Sequence, residues 1–297
     1  MSSSRFREFY DSPLAVYVMV LVCAGTVVFS MMYTDIPPLR TCYYFIASIF
    51  SLVLVKLARA DSGVRIDYVQ SGEAWAGILG ALIIFFLVSD NRYLLFLSVW
   101  VSVLMYELYI HQLSRGRSSD RLMVGYAFGA MAVVAGVYLV LNGLRLDAVT
   151  AILSGICCTE LHAGWIIPVI VLLCTLLYAG ERFFMYELLL FSQGEQYFSS
   201  GGYPYGKVKL LVLCLRSVSA AFVISFAGVL AGVSAISIML PEREGVLQDG
   251  MTVLVVFSFI NIAALMMTYL NTFSVLAAVV VISYLLHLFG GRRVVNG

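Results

Sequence analysis

Charged side chains are scarce in this sequence, and their scarcity limits what the protein can be. Only 12% of the 297 residues are charged and 62% are hydrophobic, whereas soluble domains average about 25% charged and about 45–50% apolar residues. A soluble globular fold is therefore excluded, and the composition predicts a polytopic membrane protein. The net charge is +1, which does not provide the basic surface that nucleic-acid binding requires.

Enzyme motifs are also missing. The sequence has no His-Glu-x-x-His, no Gly-x-Ser-x-Gly and no phosphate-binding loop. Its three histidines, His111, His162 and His287, are far apart. The six cysteines lie mostly inside apolar runs, where a cysteine usually packs as a small hydrophobic residue. We therefore predict no catalytic site and no cofactor.

One short cluster has metal-binding chemistry. Residues 157–162 read Cys-Cys-Thr-Glu-Leu-His, and thiolate, carboxylate and imidazole ligands suit a soft or borderline divalent ion. Adjacent cysteines rarely chelate one ion well, however, and no second cluster completes a coordination shell. A loop helix with small packing residues is the preferred interpretation, so no metal site is predicted.

The sequence does contain many apolar runs of the length that crosses a bilayer, which is about 20 residues. The predicted spans are 14–33, 41–58, 74–89, 93–110, 122–141, 165–179, 251–269 and 273–289, with a partial surface helix at 148–156. The run 208–240 exceeds one crossing at about 1.5 Å per residue, and glycines near 228–232 favour two spans over one long helix. The prediction is a single all-α domain, 1–297, with about ten transmembrane helices and nine as the alternative.

The positions of lysine and arginine predict the orientation, because short cytoplasmic loops of membrane proteins are enriched in both. With ten spans and a cytoplasmic N-terminus, three basic residues fall outside: Arg40, Arg92 and Arg145. Fourteen fall inside: Arg5, Arg7, Lys56, Arg59, Arg65, Arg115, Arg117, Arg121, Arg182, Lys207, Lys209, Arg243, Arg292 and Arg293. This asymmetry places both termini in the cytoplasm of a multi-pass protein of the cell (cytoplasmic or inner) membrane.

Charged residues inside the predicted spans are few. Glu107, Glu187 and Arg216 each lie within about two turns of a predicted interface, where snorkelling explains them as well as function does. An ion-coupled carrier usually has a broken helix or a buried acid near the middle of the membrane. Neither is identified in the sequence, which counts against that class without excluding it.

A polar segment at about 190–209 separates two apolar runs and is placed in the cytoplasm by the charge bias. One interpretation is an ordered loop. The other is a short helix that docks into a second protein, with Glu195 near its positive N-terminal end. Gly201 and Gly202 would then end the helix by supplying positive φ angles, and Lys207 and Lys209 would begin the next span.

This segment resembles a known family. Residues 194–202, Gly-Glu-Gln-Tyr-Phe-Ser-Ser-Gly-Gly, are similar to the Gly-Glu-x-x-Ala-x-Ser-Leu-Gly segment of ABC-importer permeases for iron-siderophores, haem and cobalamin. Weaker similarity occurs in the same order along the chain at 38–40, 71–74, 152–155, 226–228 and 238–241. The chain departs from the pattern where Phe198 replaces alanine, Gly201 replaces leucine and Glu242 replaces histidine, which indicates a diverged permease.

The resemblance implies a transport subunit without an ATPase site of its own, working with a cytoplasmic ABC ATPase, a second permease copy or paralogue and an external binding protein. It implies that one segment contacts the ATPase: Gly194, Glu195, Gln196, Tyr197, Phe198, Ser199, Ser200, Gly201 and Gly202. It also nominates Arg40, Arg92 and Arg145 for docking the binding protein. The expected cargo is an iron chelate, haem or a cobalamin-like ligand. An ion-coupled secondary transporter and a zinc/manganese-type ABC permease remain alternatives.

Overall fold

The computed structural model describes residues 12–33, 38–60, 73, 75–83, 92–113, 184–192, 195–228 and 246–269, with helical residues also within 127–141 and 173–180. All regular secondary structure in these ranges is helical. Seven helices have defined bounds: α1 Pro13–Tyr33, α2 Pro38–Ala60, α3 Arg92–Leu113, α4 Met185–Ser192, α5 Glu195–Ser200, α6 Tyr205–Ala227 and α7 Val246–Tyr269. A further helical stretch, 75–83, lies between α2 and α3.

The long helices coincide with predicted spans. The runs 14–33, 41–58, 93–110 and 251–269 correspond to α1, α2, α3 and α7. Within the described ranges, Arg40–Leu57, Tyr205–Ala227 and Leu247–Met266 are long and apolar enough to cross a membrane, and Leu14–Phe29 and Phe96–Tyr109 are shorter apolar helices. The predicted surface helix 148–156 and the span 273–289 lie outside the described residues. An all-α membrane protein is the architecture that these helices support.

The long apolar run 208–240 is not a single helix. Helix α6 ends at Ala227, and Gly228 follows with a φ of 59° while its N–H bonds to the carbonyl of Ile224. Glycine adopts positive φ without the steric cost that a Cβ imposes, so it commonly ends helices. The one-helix interpretation of this run is therefore wrong.

Helix α6 lies at the centre of the described core and runs antiparallel to α2. The ring of Tyr43 stacks on Phe226 with 5.0 Å between centroids, and further along α2 the ring of Phe50 stacks on Phe222 at 4.5 Å. Residue numbers therefore rise along α2 while they fall along α6, as they do in an antiparallel pair. Offset ring stacks of this kind stabilise a pair by about 0.5–1.5 kcal/mol beyond their buried area.

The other neighbours of α6 are α3 and the stretch 75–83. Helix α3 is antiparallel to α6, because Phe96 contacts Phe222 at 4.8 Å while Trp100 Nε1 donates to Ser217 Oγ at 3.2 Å. The stretch 75–83 is antiparallel to α3, since Ala76 packs against Tyr106 near the end of α3, whereas Ser98 Oγ near the start of α3 donates to the carbonyl of Gly80 at 2.7 Å. It consequently runs in the same direction as α6.

Helix α7 also belongs to the core. It runs antiparallel to α2, with Lys56 Nζ 2.8 Å from Asp249 Oδ2 at one end and the ring of Phe45 against Phe257 further along. It runs parallel to α1, since Ala15 packs against Met251 near the starts of both helices and Cys23 Sγ lies 2.8 Å from Ser258 Oγ further along. The starts of α1, α6 and α7 therefore share one side with the ends of α2 and α3. We call it the α5 side, because α5 leads directly into the start of α6.

Gly80 allows the stretch 75–83 to pack closely on α3. A Cβ at this position would lie 2.7 Å from both Ser98 O and Ser102 Cβ, and small residues are the usual means by which membrane helices approach each other. We expect Gly80→Ala to lower the free energy of unfolding by about 1–3 kcal/mol, the typical cost of overpacking. Thermal unfolding of the detergent-purified protein measures this change.

Gly25→Ala is the matched control, because nothing lies within 4 Å of the added methyl group on α1. It should leave the unfolding temperature unchanged or slightly higher, since alanine favours a helix by up to about 1 kcal/mol over glycine. Equal unfolding temperatures for the two variants would contradict the close approach at Gly80.

Candidate functional site

The polar segment between two apolar helices contains a short helix of its own. Helix α5 begins at Glu195 and ends at Ser200, between α4 and α6. This is the helix that the segment was predicted to form. Gly194, the first residue of the predicted ATPase-contacting segment, lies outside the described residues. Helices α4, α5 and the start of α6 form a small folded unit on the α5 side, with α4 contacting α2.

The end of α5 depends on one glycine conformation. Gly202 has a φ of +82°, and its N–H bonds to the carbonyl of Ser199 at 3.0 Å. The next residue, Tyr203, packs its ring on Phe198 with 5.0 Å between centroids. A glycine in the left-handed region, a backbone bond to the last turn and a hydrophobic contact just beyond the helix are the features of a Schellman-type helix end.

Gly201 has a different role from the one that was predicted. Its φ is not positive, so Gly202 alone supplies the left-handed conformation. A Cβ on Gly201 would lie 3.2 Å from Tyr203 Cδ2 and 3.3 Å from the carbonyl oxygen of Phe198. Gly201 is therefore small because the ring of Tyr203 folds back over it.

The inward face of α5 is anchored by Phe198. This side chain is 1% exposed and forms a buried cluster with Phe191 of α4 and Val212 of α6. Its ring lies edge-on to Phe191 at 5.4 Å, and Phe191 in turn stacks on Tyr205 at 5.0 Å. An aromatic residue here fixes α5 to both flanking helices, so the replacement of alanine by Phe198 changes the interior of the unit and not its outer surface.

The outward face of α5 is polar with one large ring. Glu195, Gln196, Ser199 and Ser200 are exposed, and Tyr197 is 62% exposed. Tyrosine is enriched among residues that dominate protein–protein binding energy, because it offers a large, rigid, amphipathic surface. The geometry thus presents a firmly held polar helix with a central tyrosine. Contact between residues 194–202 and an ATPase stays a prediction.

A buried charge triad lies further along α6. Arg216 Nε donates to Glu73 Oε1 at 2.8 Å, and Arg216 Nη2 donates to Glu107 Oε1 at 2.8 Å. Exposure is 1% for Glu73, 2% for Glu107 and 1% for Arg216. Removing one partner of such a buried ion pair typically costs about 3–5 kcal/mol, because the remaining charge is left in a low-dielectric interior.

The triad corrects the snorkelling interpretation of Glu107 and Arg216. Arg216 lies at the centre of α6, about 16 Å along the axis from Tyr205 at 1.5 Å per residue, and it reaches two acids instead of the interface. This site was not predicted, and Glu73 was not among the charged residues assigned to the spans. Single charged residues in or beside three otherwise apolar spans, two of them acidic and one basic, were the available signal. Glu187, on α4, is partly exposed.

The residues nominated for binding-protein docking are only partly described. Arg40 is partly buried in the first turn of α2, and Arg92 begins α3. Both helices start on the side opposite to α5, and docking of a binding protein there stays a prediction. Arg145 and the cluster 157–162 lie outside the described residues. In the described ranges, no three His, Cys, Asp or Glu side chains group into a metal site.

The opposite exposure of two adjacent residues gives a direct test of the geometry of α5. We expect Phe198→Ala to destabilise the unit of α4, α5 and the start of α6, by up to about 3–5 kcal/mol as for other buried phenylalanines. Tyr197→Ala should leave stability unchanged, since its ring is mostly exposed. Hydrogen exchange over 185–212 measures the local stability of both variants, and equal protection would contradict the inward position of Phe198.

The fold is similar to two solved structures. One is a metal-chelate type ABC transporter in an inward-facing conformation, with a TM-score of 0.56 and 14% identity over 85% of this chain and 89% of that chain. The other is PsaBC from Streptococcus pneumoniae in complex with a Fab, with a TM-score of 0.51 and 13% identity over 89% and 94% of the two chains. No protein-family model and no curated protein sequence matches. The chain has the fold of an ABC-transporter permease, as the resemblance of its polar segment predicted.

Proposed function

We propose that the chain is the membrane-spanning subunit of an ATP-driven importer. The observation that carries the proposal is helix α5, an exposed polar helix held rigidly at the start of α6 in a chain with an ABC-permease fold. The sequence of this helix resembles the ATPase-contacting segment of importer permeases. The energy source is then a cytoplasmic ABC ATPase, and the chain contributes no ATPase site.

The contacts of Phe198 suggest how movement of an ATPase reaches the membrane. A force on the outward face of α5 passes through Phe198 to Phe191 and Val212, because these side chains form one buried cluster. Val212 lies one turn before Arg216 on α6, and Arg216 holds the stretch 75–83 and α3 through its two acids. Packed interiors transmit displacement as rigid bodies. Docking at α5 would therefore tilt several helices together between inward-open and outward-open states.

The helix directions support the proposed topology of ten crossings with both termini in the cytoplasm. Helices α6 and α7 both run antiparallel to α2 and so enter from the same side. Ten crossings require this parallel arrangement, whereas a single crossing by 208–240 would make α7 opposite to α6. The α5 side is then the cytoplasmic face of the cell membrane, in agreement with Lys207 and Lys209 at the start of α6.

We infer the remaining partners and the cargo from the resemblance. The cargo would be an iron chelate, haem or a cobalamin-like ligand, in line with the metal-chelate type of one similar structure. An external binding protein would deliver it to the face that carries Arg40, Arg92 and Arg145. A second permease, either another copy or a paralogue, would complete the pathway. A zinc/manganese-type ABC permease is the alternative within the same class.

An ion-coupled secondary transporter is the candidate from another class. The specific observation in its favour is the pair of buried acids, Glu73 and Glu107, since buried carboxyl groups in membrane helices often mark ion or proton sites. The fold similarity and the exposed helix α5 favour the ATP-driven importer.

The docking role of α5 is tested by adding charge to its exposed face. With the chain co-expressed with an ABC ATPase of the same genome, the double substitution Ser199→Glu and Ser200→Glu should reduce transport-coupled ATP hydrolysis at least tenfold. Two carboxylates in a docking surface cost several kcal/mol of binding when desolvated without partners, and about 1.4 kcal/mol corresponds to a tenfold change. ATP hydrolysis in proteoliposomes is the measurement.

Gly250→Glu is the matched control, because it adds a carboxylate on the same face of the protein, on α7, where nothing lies within 4 Å of the new Cβ. This variant should hydrolyse ATP at the rate of the unmodified protein. Full coupled hydrolysis in the Ser199/Ser200 double variant would refute the docking assignment.

A further inference from the structure

The two acids of the triad share one edge of the Arg216 guanidinium. The Nε and Nη2 nitrogens lie side by side on that edge, which commonly binds both oxygens of a single carboxylate. Here Nε donates to Glu73 and Nη2 donates to Glu107, each at 2.8 Å. The two carboxyl groups are therefore close neighbours, in the way that two acids with a common proton are.

The charges of the described residues at this point do not balance. Two carboxyl groups face one guanidinium, and all three side chains are at least 98% buried. Among the described residues, no hydrogen-bond partner is present for the second oxygen of Glu73, Oε2. A buried carboxylate oxygen without a donor is strongly unfavourable, whereas a protonated carboxyl group carries no charge and can itself donate.

We propose that Glu73 and Glu107 together hold one proton, so that the triad is a neutral, proton-binding site between 75–83, α3 and α6. The proton comes from water and no bond other than O–H is formed. The proton belongs to the two acids jointly. This site goes beyond the proposed transport function and is present whether or not α5 binds an ATPase.

The proton is detected by infrared spectroscopy of the detergent-purified chain at neutral pH, through the C=O stretch of a carboxylic acid. Glu73→Gln and Glu107→Gln should each abolish the same acid band, because the one remaining carboxyl group ionises beside Arg216. Loss of one band in both variants shows that the proton is present only when both acids face Arg216. Glu195→Gln, on the exposed face of α5, is the control and should leave the band unchanged.

The proposal is overturned if neither triad substitution removes an acid band, since both carboxyl groups are then ionised in the folded protein. It is equally overturned if replacing sodium and potassium by choline lowers the unfolding temperature of the unmodified chain, because a metal cation then supplies the missing positive charge. If a glutamine variant does not fold, carboxyl-¹³C glutamate in the unmodified chain reports the same band by its isotope shift, and the absence of a shifted acid band refutes the proposal.

Discussion

The described core depends on a single arginine placed halfway along a helix that is otherwise long and apolar enough to cross a membrane. Arg216 cannot be buried alone, because an isolated charge in a low-dielectric interior costs several kcal/mol even after relaxation. Its two hydrogen bonds bring Glu73 and Glu107 to α6, and with them the stretch 75–83 and α3. The aromatic stacks of Tyr43 on Phe226 and Phe50 on Phe222 then fix α2 on another part of the same helix.

The same helix connects this core to the exposed surface at its start. One turn before Arg216, Val212 belongs to the cluster of Phe191 and Phe198 that holds α5. Helix α5 is too short to be stable by itself, so its position is set by Phe198 on one side and by the helix end at Gly202 on the other. A surface that is fixed at both points can transmit a displacement to α6, whereas a flexible loop would deform without moving α6. The fixed position of α5 is the physical reason for proposing that it is a docking element.

Local features of the sequence predicted much of the fold. The bounds of α1, α2, α3 and α7 follow from apolar length, which depends only on neighbouring residues, and the polar residues 195–200 did form the predicted helix. The triad was not predicted, because its three members are separated by more than a hundred residues in two of the pairs and their meeting is set by helix packing. The inward position of Phe198 and the contact of Gly201 with Tyr203 likewise depend on how the chain folds back beyond α5. The sequence shows that Phe198 and Gly201 depart from the family pattern. It does not show whether these residues face the interior or the surface.

The measurement that tests the account most directly is the energy source of transport. Cells that express the chain with an ABC ATPase and a binding protein of the same genome would be given a radioactive iron chelate. The account predicts that uptake stops when ATP is depleted and continues when a protonophore collapses the proton gradient while ATP is maintained. Uptake that survives ATP depletion and stops with the protonophore would contradict it and would identify the chain as an ion-coupled carrier.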